Sequence, residues 1–129
     1  MKFRAAVCQF PVTGNVNRNC RWIRKQMKQA ARKGAAIALF PECALGGYAG
    51  FHLDSFREYD WDAAERVAER VMKQARELKM WTAFGANHRL TGKHKPHNSL
   101  YLVSDEGRIV DRYDKRFCLG DEGEFDLRH

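Results

Sequence analysis

The sequence lacks any apolar run that approaches the roughly 20 residues needed to cross a membrane. Its first residues, MKFRAAVCQF, also lack the long apolar segment of a secretory signal peptide. The four cysteines form no CxxC pair, which argues against a thiolate metal knuckle and against a dithiol redox couple. We therefore expect a cytoplasmic protein with no membrane partner, in which the cysteines are reduced thiols.

Low-complexity tracts, internal repeats and interdomain linkers are also missing from the chain. Hydrophobic residues make up 44% of the sequence and aromatic residues 12%, which is the composition of a folded protein rather than a disordered one. Its 129 residues match the length of one ordinary domain. The chain is therefore predicted to be one domain or part of one.

Acidic residues are absent between Val16 and Gly34, where seven lysines and arginines account for the whole net charge of +7. At about 100° per residue, the apolar side chains of this segment share one face and the cations spread over the other. These cations can be interpreted as the solvated outer face of a helix or as a surface that binds nucleic acid. Because no recognition motif or aromatic platform accompanies the cations, we favour the solvated helix and predict no nucleic-acid partner.

Apolar runs alternate with segments of helical periodicity along the whole chain. A second helix is predicted at 62–79, where Asp62 and Glu65 resemble a capping box at its start. Five strands are predicted, at 3–10, 35–40, 81–90, 98–104 and 109–115. The order β-α-β-α-β-β-β indicates an α/β layered fold in which the last two strands form a hairpin.

Two residues with complementary chemistry stand at predicted strand ends. Glu42 follows the second strand and Lys115 closes the last. Brought together in a pocket, a carboxylate and an ammonium can act as general base and oxyanion stabiliser. Spacing alone also allows both to be ordinary surface residues, and from spacing alone that interpretation is favoured.

Three ordered blocks, RAAVCQFPV, GAAIALFPECALGGY and HNSLYLVSDEGRIVDRYDK, resemble the first half of the nitrilase superfamily, the carbon-nitrogen hydrolases. The resemblance spans nearly the whole chain. It implies half of an αββα four-layer sandwich, and a Glu-Lys-Cys triad that attacks a nitrile, amide or carbamoyl carbon. The expected partner is therefore a small-molecule substrate of one of these kinds.

The resemblance also implies roles for individual residues. Glu42 matches the general base and Lys115 the catalytic lysine. Tyr48 is expected either to line the substrate pocket or to be a packed aromatic residue. Glu122 or Glu124 would supply the second glutamate that many members carry beyond the lysine. The family requires no cofactor, and we expect none and no metal.

The nucleophilic cysteine of the family lies well beyond the lysine, whereas this chain ends fourteen residues after Lys115. Cys118 stands where the family has an ordinary residue. Cys43 is adjacent to Glu42, and neighbouring side chains on an extended segment point to opposite sides. We therefore predict that this chain contains no nucleophile. Residues 1–129 are interpreted as the N-terminal part of a single carbon-nitrogen hydrolase domain, truncated before that cysteine and inactive alone.

Half of a four-layer sandwich would leave one apolar sheet face uncovered, and such a face promotes association. We expect a homo-oligomer, or association with the missing half. The alternative function is a catalytically dead α/β module whose role is association.

Overall fold

The computed structural model describes residues 2–117, and in this range two helices and five strands follow one another in the predicted order. The elements are β1 (Ala5–Val7), α1 (Val16–Arg32), β2 (Ile37–Leu39), α2 (Trp61–Leu78), β3 (Trp81–His88), β4 (His97–Val103) and β5 (Ile109–Asp114). The first two strands are shorter than their apolar runs. The pairing nevertheless continues past β1, since the Cys8 backbone N–H donates to the Leu39 carbonyl oxygen at 2.8 Å.

The five strands form one sheet in the order β1-β2-β3-β4-β5. The first three are parallel and are connected through the two helices. The last three are antiparallel, and the predicted hairpin is β4–β5. Its turn is closed by the Ser104 N–H, which donates to the Arg108 carbonyl oxygen at 2.9 Å, and Gly107 supplies the required positive φ of 76°.

The helix α1 buries the predicted apolar face and exposes most of its cations. It begins at the N-cap residue Asn15, whose side-chain oxygen accepts from the Arg18 N–H at 2.9 Å. One cation has a structural role. The Nε of Arg24 donates to Oε1 of the buried Gln74 at 2.8 Å, and Nε2 of Gln74 donates back to the Arg24 carbonyl oxygen at 2.7 Å. This reciprocal pair joins α1 to α2.

The predicted capping box at the start of α2 was wrong. The N-cap residue is Asp60, whose carboxylate accepts from the Ala63 N–H at 2.8 Å, and Asp62 lies inside the first turn. Trp61 opens the helix and packs on Phe56 and Tyr59, with ring centroids 5.6 Å and 4.6 Å away. This aromatic cluster anchors the first turn, so the helix begins before its apolar periodicity becomes visible in the sequence.

Both helices contact each other, and the buried core lies on the side of the sheet that carries Phe84 and Val103, both fully buried. Side chains alternate across a sheet, so the other side carries a different set. Its exposed apolar members are Val7, Leu39, Trp81, Leu100 and Tyr113, between 37% and 79% exposed. We call these five residues the open sheet face. The predicted uncovered face is therefore present within the described residues.

Neither helix within residues 2–117 is long and apolar enough to span a membrane.

The open sheet face predicts that the 129-residue chain self-associates at micromolar concentration, because apolar area removed from water stabilises the associated state. Replacing Val7, which is 79% exposed, by Lys should weaken self-association about tenfold, or ~1.4 kcal/mol. The loop residue Phe51 is 83% exposed and lies off the sheet, so Phe51→Lys is the matched control and should change little. Light scattering that shows a compact monomer for the unchanged chain would contradict this.

Candidate active site

The segment that follows β2 folds back over the neighbouring strand. The Phe40 N–H still donates to the Ala83 carbonyl oxygen at 2.8 Å, as in a parallel ladder. After Pro41 the chain turns. The Leu45 N–H donates to the carbonyl oxygen of Gly85 at 2.9 Å, and the Gly85 N–H donates to that of Pro41 at 3.2 Å. We call residues 41–47 the Glu42 turn. It rests on the backbone of β3 at Gly85.

Gly85 permits this contact because it has no side chain. A Cβ at this position would lie 2.3 Å from the Cys43 backbone nitrogen and 2.7 Å from the Pro41 carbonyl oxygen. Both are backbone atoms and cannot rotate away. Sequence reasoning missed Gly85, although a glycine inside a strand is a recognised sign of close backbone approach.

Buried polar side chains from α1 and β3 also hold the Glu42 turn. Nδ2 of Asn19 donates to the Leu45 carbonyl oxygen at 3.2 Å, and Nδ2 of Asn87 donates to the Gly47 carbonyl oxygen at 3.1 Å. The hydroxyl of Tyr59 occupies the space next to Gly46, where a Cβ would come within 2.0 Å of it. Burial raises the pKa of Tyr59 to about 12, so its hydroxyl stays protonated at neutral pH.

The turn places Glu42 against two donors from the β4–β5 pair. Nζ of Lys115 lies 2.9 Å from Oε1 of Glu42, and Nδ2 of Asn98 donates to the same oxygen at 2.6 Å. The Lys115 backbone N–H also donates to the Asn98 carbonyl oxygen at 2.8 Å. The structure therefore brings the two sequence-predicted residues together. It adds Asn98 as a third member, a residue for which no role was predicted from the sequence.

The pair is accessible from one side. The side chain of Lys115 is 27% exposed and that of Glu42 is 43% exposed. They border a cleft of about 370 Å³ whose apolar wall is formed by Leu100 and Tyr113. Both wall residues belong to the open sheet face, so the candidate site lies on the side of the sheet that the helices do not cover. Within residues 2–117 both hydrogen bonds to the Glu42 carboxylate go to Oε1.

Tyr48 lies beyond the turn, away from the lining of this cleft. Its backbone N–H donates to Nδ1 of His52 at 3.1 Å, and the two rings lie 5.8 Å apart between centroids. A role for Tyr48 in the pocket wall therefore stays a prediction.

The expectation that Cys43 lies on an extended segment was wrong, because the residue lies in a turn with a φ of 50°. Its side chain is only 1% exposed and does not line the cleft. Cys8 and Cys20 are also buried, and burial raises the pKa of both thiols. None of these three cysteines forms a disulfide.

Three further residues of interest, Cys118, Glu122 and Glu124, lie outside the described residues. Within 2–117, no three histidine, cysteine, aspartate or glutamate side chains are grouped so that they could hold a metal ion. The expectations of no metal and no cofactor stay predictions.

A sequence model of the carbon-nitrogen hydrolase family matches residues 4–123. The chain belongs to this family. The resemblance to the nitrilase superfamily is thereby confirmed, and so is the predicted fold class, since solved structures of that fold superpose on the chain. No curated protein matches the chain in sequence.

The solved structures similar to this carbon-nitrogen hydrolase chain include three of amidases from Nesterenkonia. An amidase from Nesterenkonia sp. has a TM-score of 0.82 and 18% identity, with 97% of this chain and 47% of that chain covered. A glutamate-to-glutamine mutant of the Nesterenkonia sp. AN1 amidase, showing Michael addition of acrylamide at the active-site cysteine, has a TM-score of 0.85, 17% identity and coverages of 98% and 49%. A mutant of the Nesterenkonia AN1 amidase from the nitrilase superfamily has a TM-score of 0.83 and 19% identity, with 97% of this chain and 47% of that chain covered. The chain spans about half the length of these structures, and at such identities the likeness shows the fold.

The contact at Gly85 predicts that Gly85→Ala destabilises the fold and displaces the Glu42 turn. Overpacking against backbone costs about 1–3 kcal/mol, which urea unfolding measures as a lower midpoint. Gly92→Ala is the matched control. It adds the same methyl group where nothing lies within 4 Å, so its cost should be limited to the backbone strain at a φ of 68°. A Gly85→Ala variant no less stable than Gly92→Ala would contradict the assigned role.

Proposed function

We propose that the chain carries the base and the lysine of a carbon-nitrogen hydrolase that acts on small amides, nitriles or carbamoyl compounds through a Glu-Lys-Cys triad. The supporting observation is the position of Glu42. Its Oε1 lies 2.9 Å from Lys115 Nζ and 2.6 Å from Asn98 Nδ2, at the edge of a cleft and in a chain of this family. The amidase activity of the similar solved structures supports the substrate class.

In the proposed mechanism Glu42 transfers protons. Its carboxylate takes the proton of an attacking thiol, and the sulfur forms a bond to the carbonyl carbon of an amide. The carbon-nitrogen bond then breaks as Glu42 returns the proton to the leaving nitrogen. Glu42 next activates a water molecule, which cleaves the thioester and frees the acid. Asn98 and Lys115 both engage Oε1, so Oε2 is the oxygen assigned to proton transfer.

Lys115 has two roles in this proposal. Its ammonium stabilises the negative charge that develops on the carbonyl oxygen in the tetrahedral intermediate. Its contact with Oε1 also holds the Glu42 side chain in position before the reaction begins.

The thiol in this proposal comes from polypeptide other than these 129 residues. The cleft lining contains no cysteine in the described range, and Cys8, Cys20 and Cys43 are buried. The interpretation of residues 1–129 as an N-terminal part of a longer domain is part of this proposal. The coverage of 49% of one amidase chain supports it.

The open sheet face favours a second function, association without catalysis. Both functions would use the same surface, because the cleft shares Leu100 and Tyr113 with that face. Polypeptide that covers the face would also cover Glu42 and Lys115. Amide hydrolysis by a form in which the open sheet face is covered would support the hydrolase, and its absence would support association without catalysis.

Because this proposal places the nucleophilic thiol on other polypeptide, we expect the purified 129-residue chain to have no amidase or nitrilase activity. Removing a nucleophile lowers the rate by several orders of magnitude. Ammonia release from small aliphatic amides and nitriles is the measurement. Hydrolysis by the chain, lost on Cys118→Ala or on Cys43→Ala, would show instead that one of these thiols is the nucleophile.

In an active form that supplies the thiol, Glu42→Gln and Lys115→Ala should each abolish most turnover. Loss of the general base lowers kcat by about 10²–10⁴-fold, and loss of an oxyanion-stabilising group by about 10²–10³-fold. The amide at position 42 preserves shape but cannot accept the thiol proton. Steady-state kinetics and thermal unfolding together separate lost chemistry from lost stability.

Glu58→Gln is the control for Glu42→Gln, because it makes the same change at an exposed loop residue. Lys115→Arg should not restore activity, since a planar guanidinium does not fit the position of a compact ammonium. Near-normal turnover of Glu42→Gln would mean that Glu42 is only the polar end of a strand.

A further inference from the structure

Asp114, the last residue of β5 and the neighbour of Lys115, is held by three side chains. Its Oδ1 accepts from the Ser99 hydroxyl at 2.6 Å and lies 2.9 Å from Arg112 Nε. Its Oδ2 accepts from Arg112 Nη2 at 3.1 Å and lies 3.0 Å from His97 Nδ1. Both carboxylate oxygens therefore have two partners. We call this arrangement the Asp114 clamp.

The side chain of Asp114 lies on the opposite side of the sheet from those of Asn98 and Lys115, while Ser99 of the clamp also borders the cleft. Ser99 and Asp114 are register partners in the β4–β5 ladder. Because side chains alternate, the next residue on each strand, Asn98 on β4 and Lys115 beyond β5, points to the other side. The backbone bond from Lys115 N–H to the Asn98 carbonyl oxygen is thus adjacent to the clamp, at the end of the ladder where strands fray most easily.

The charge on Asp114 is maintained by its partners. Burial acts to raise the pKa of its carboxyl, but hydrogen bonds from Ser99, His97 and Arg112 outweigh burial and hold the pKa below its usual value. The carboxylate is therefore ionised at neutral pH. Its contribution to stability is present above the ordinary aspartate pKa and is lost only as the pH falls through the lowered one.

The geometry points to Asp114 as a positioning residue, which fixes the end of β5 against β4 so that Lys115 and Asn98 both reach Oε1 of Glu42. This inference rests on the proposed function for its catalytic meaning, but the contact itself can be measured without turnover. The lysine side chain has four rotatable bonds, so its reach is defined only if its backbone is fixed. The Asp114 clamp supplies that constraint from the far side of the sheet.

The test compares Asp114→Asn with Asp111→Asn in the 129-residue chain. Asparagine keeps one acceptor oxygen at position 114. Its NH₂ group cannot accept a hydrogen bond and replaces a carboxylate oxygen that faced Arg112 or His97. Asp111 lies on the same strand, is exposed and accepts from the Arg112 backbone N–H at 2.8 Å. The control therefore makes the same chemical change outside the clamp.

Two NMR measurements follow the contact. The first is the nuclear Overhauser effect between the side-chain methylene protons of Glu42 and Lys115, and the second is hydrogen exchange of the Lys115 amide. In Asp114→Asn we expect the Overhauser effect to fall at least threefold and the amide to exchange about tenfold faster. The Ser104 amide, at the turn end of the hairpin, should change less than twofold, and Asp111→Asn should preserve both signals. A general loss of structure would instead accelerate both amides together.

An unchanged Overhauser effect and unchanged Lys115 exchange in Asp114→Asn would overturn the inference. If that variant does not fold, Ser99→Ala removes a single donor, and it should shift both signals in the same direction by a smaller amount. No shift in Ser99→Ala would then count against the clamp. Turnover by Glu42→Gln in an active form tests the proposed function separately, because the Overhauser effect reports the contact and not the reaction.

Discussion

The contact between Glu42 and Lys115 joins positions 73 residues apart, and it constrains most of the structure around it. The carboxylate must leave its own strand and cross β3, which requires a strand position without a side chain, and Gly85 provides it. The ammonium must come from the end of β5, which requires β4 and β5 to pair in a single register. Asn98 contacts both residues, because its carbonyl oxygen accepts from the Lys115 N–H and its side-chain amide donates to Glu42.

The location of the pair relates the fold to the chemistry. The helices cover one face of the sheet, while Glu42 and Lys115 lie on the other, beside Leu100 and Tyr113. In the described structure the pair borders solvent, where charge interactions are weakened. Polypeptide packed on the open sheet face would exclude water from the pair and strengthen those interactions. The same apolar surface that favours association would then favour catalysis.

Two sets of side chains outside the Glu42–Lys115 pair support the site. Asn19, Asn87 and Tyr59 hold the Glu42 turn, and the Asp114 clamp holds the β4–β5 end. Of the residues in these two sets, Ser99 alone borders the cleft. Each set fixes a stretch of backbone next to Glu42 or Lys115. Residues that do not contact the pair therefore help to set its geometry. Buried amides suit this task because an unsatisfied partner inside the protein is costly.

The sequence by itself determined the elements and their order, and its resemblance to a family singled out Glu42 and Lys115. Helical periodicity is local, which is why α1 with its basic outer face could be predicted from neighbouring residues. The start of α2 could not, because it depends on the packing of Trp61 against Phe56 and Tyr59. Only the tertiary structure decided that Cys43 lies in a tight turn, that Gly85 supports that turn, and that Asn98 and Asp114 hold Lys115 in place. These are contacts between strands, and their partners are set by sheet register, which no short stretch of sequence encodes.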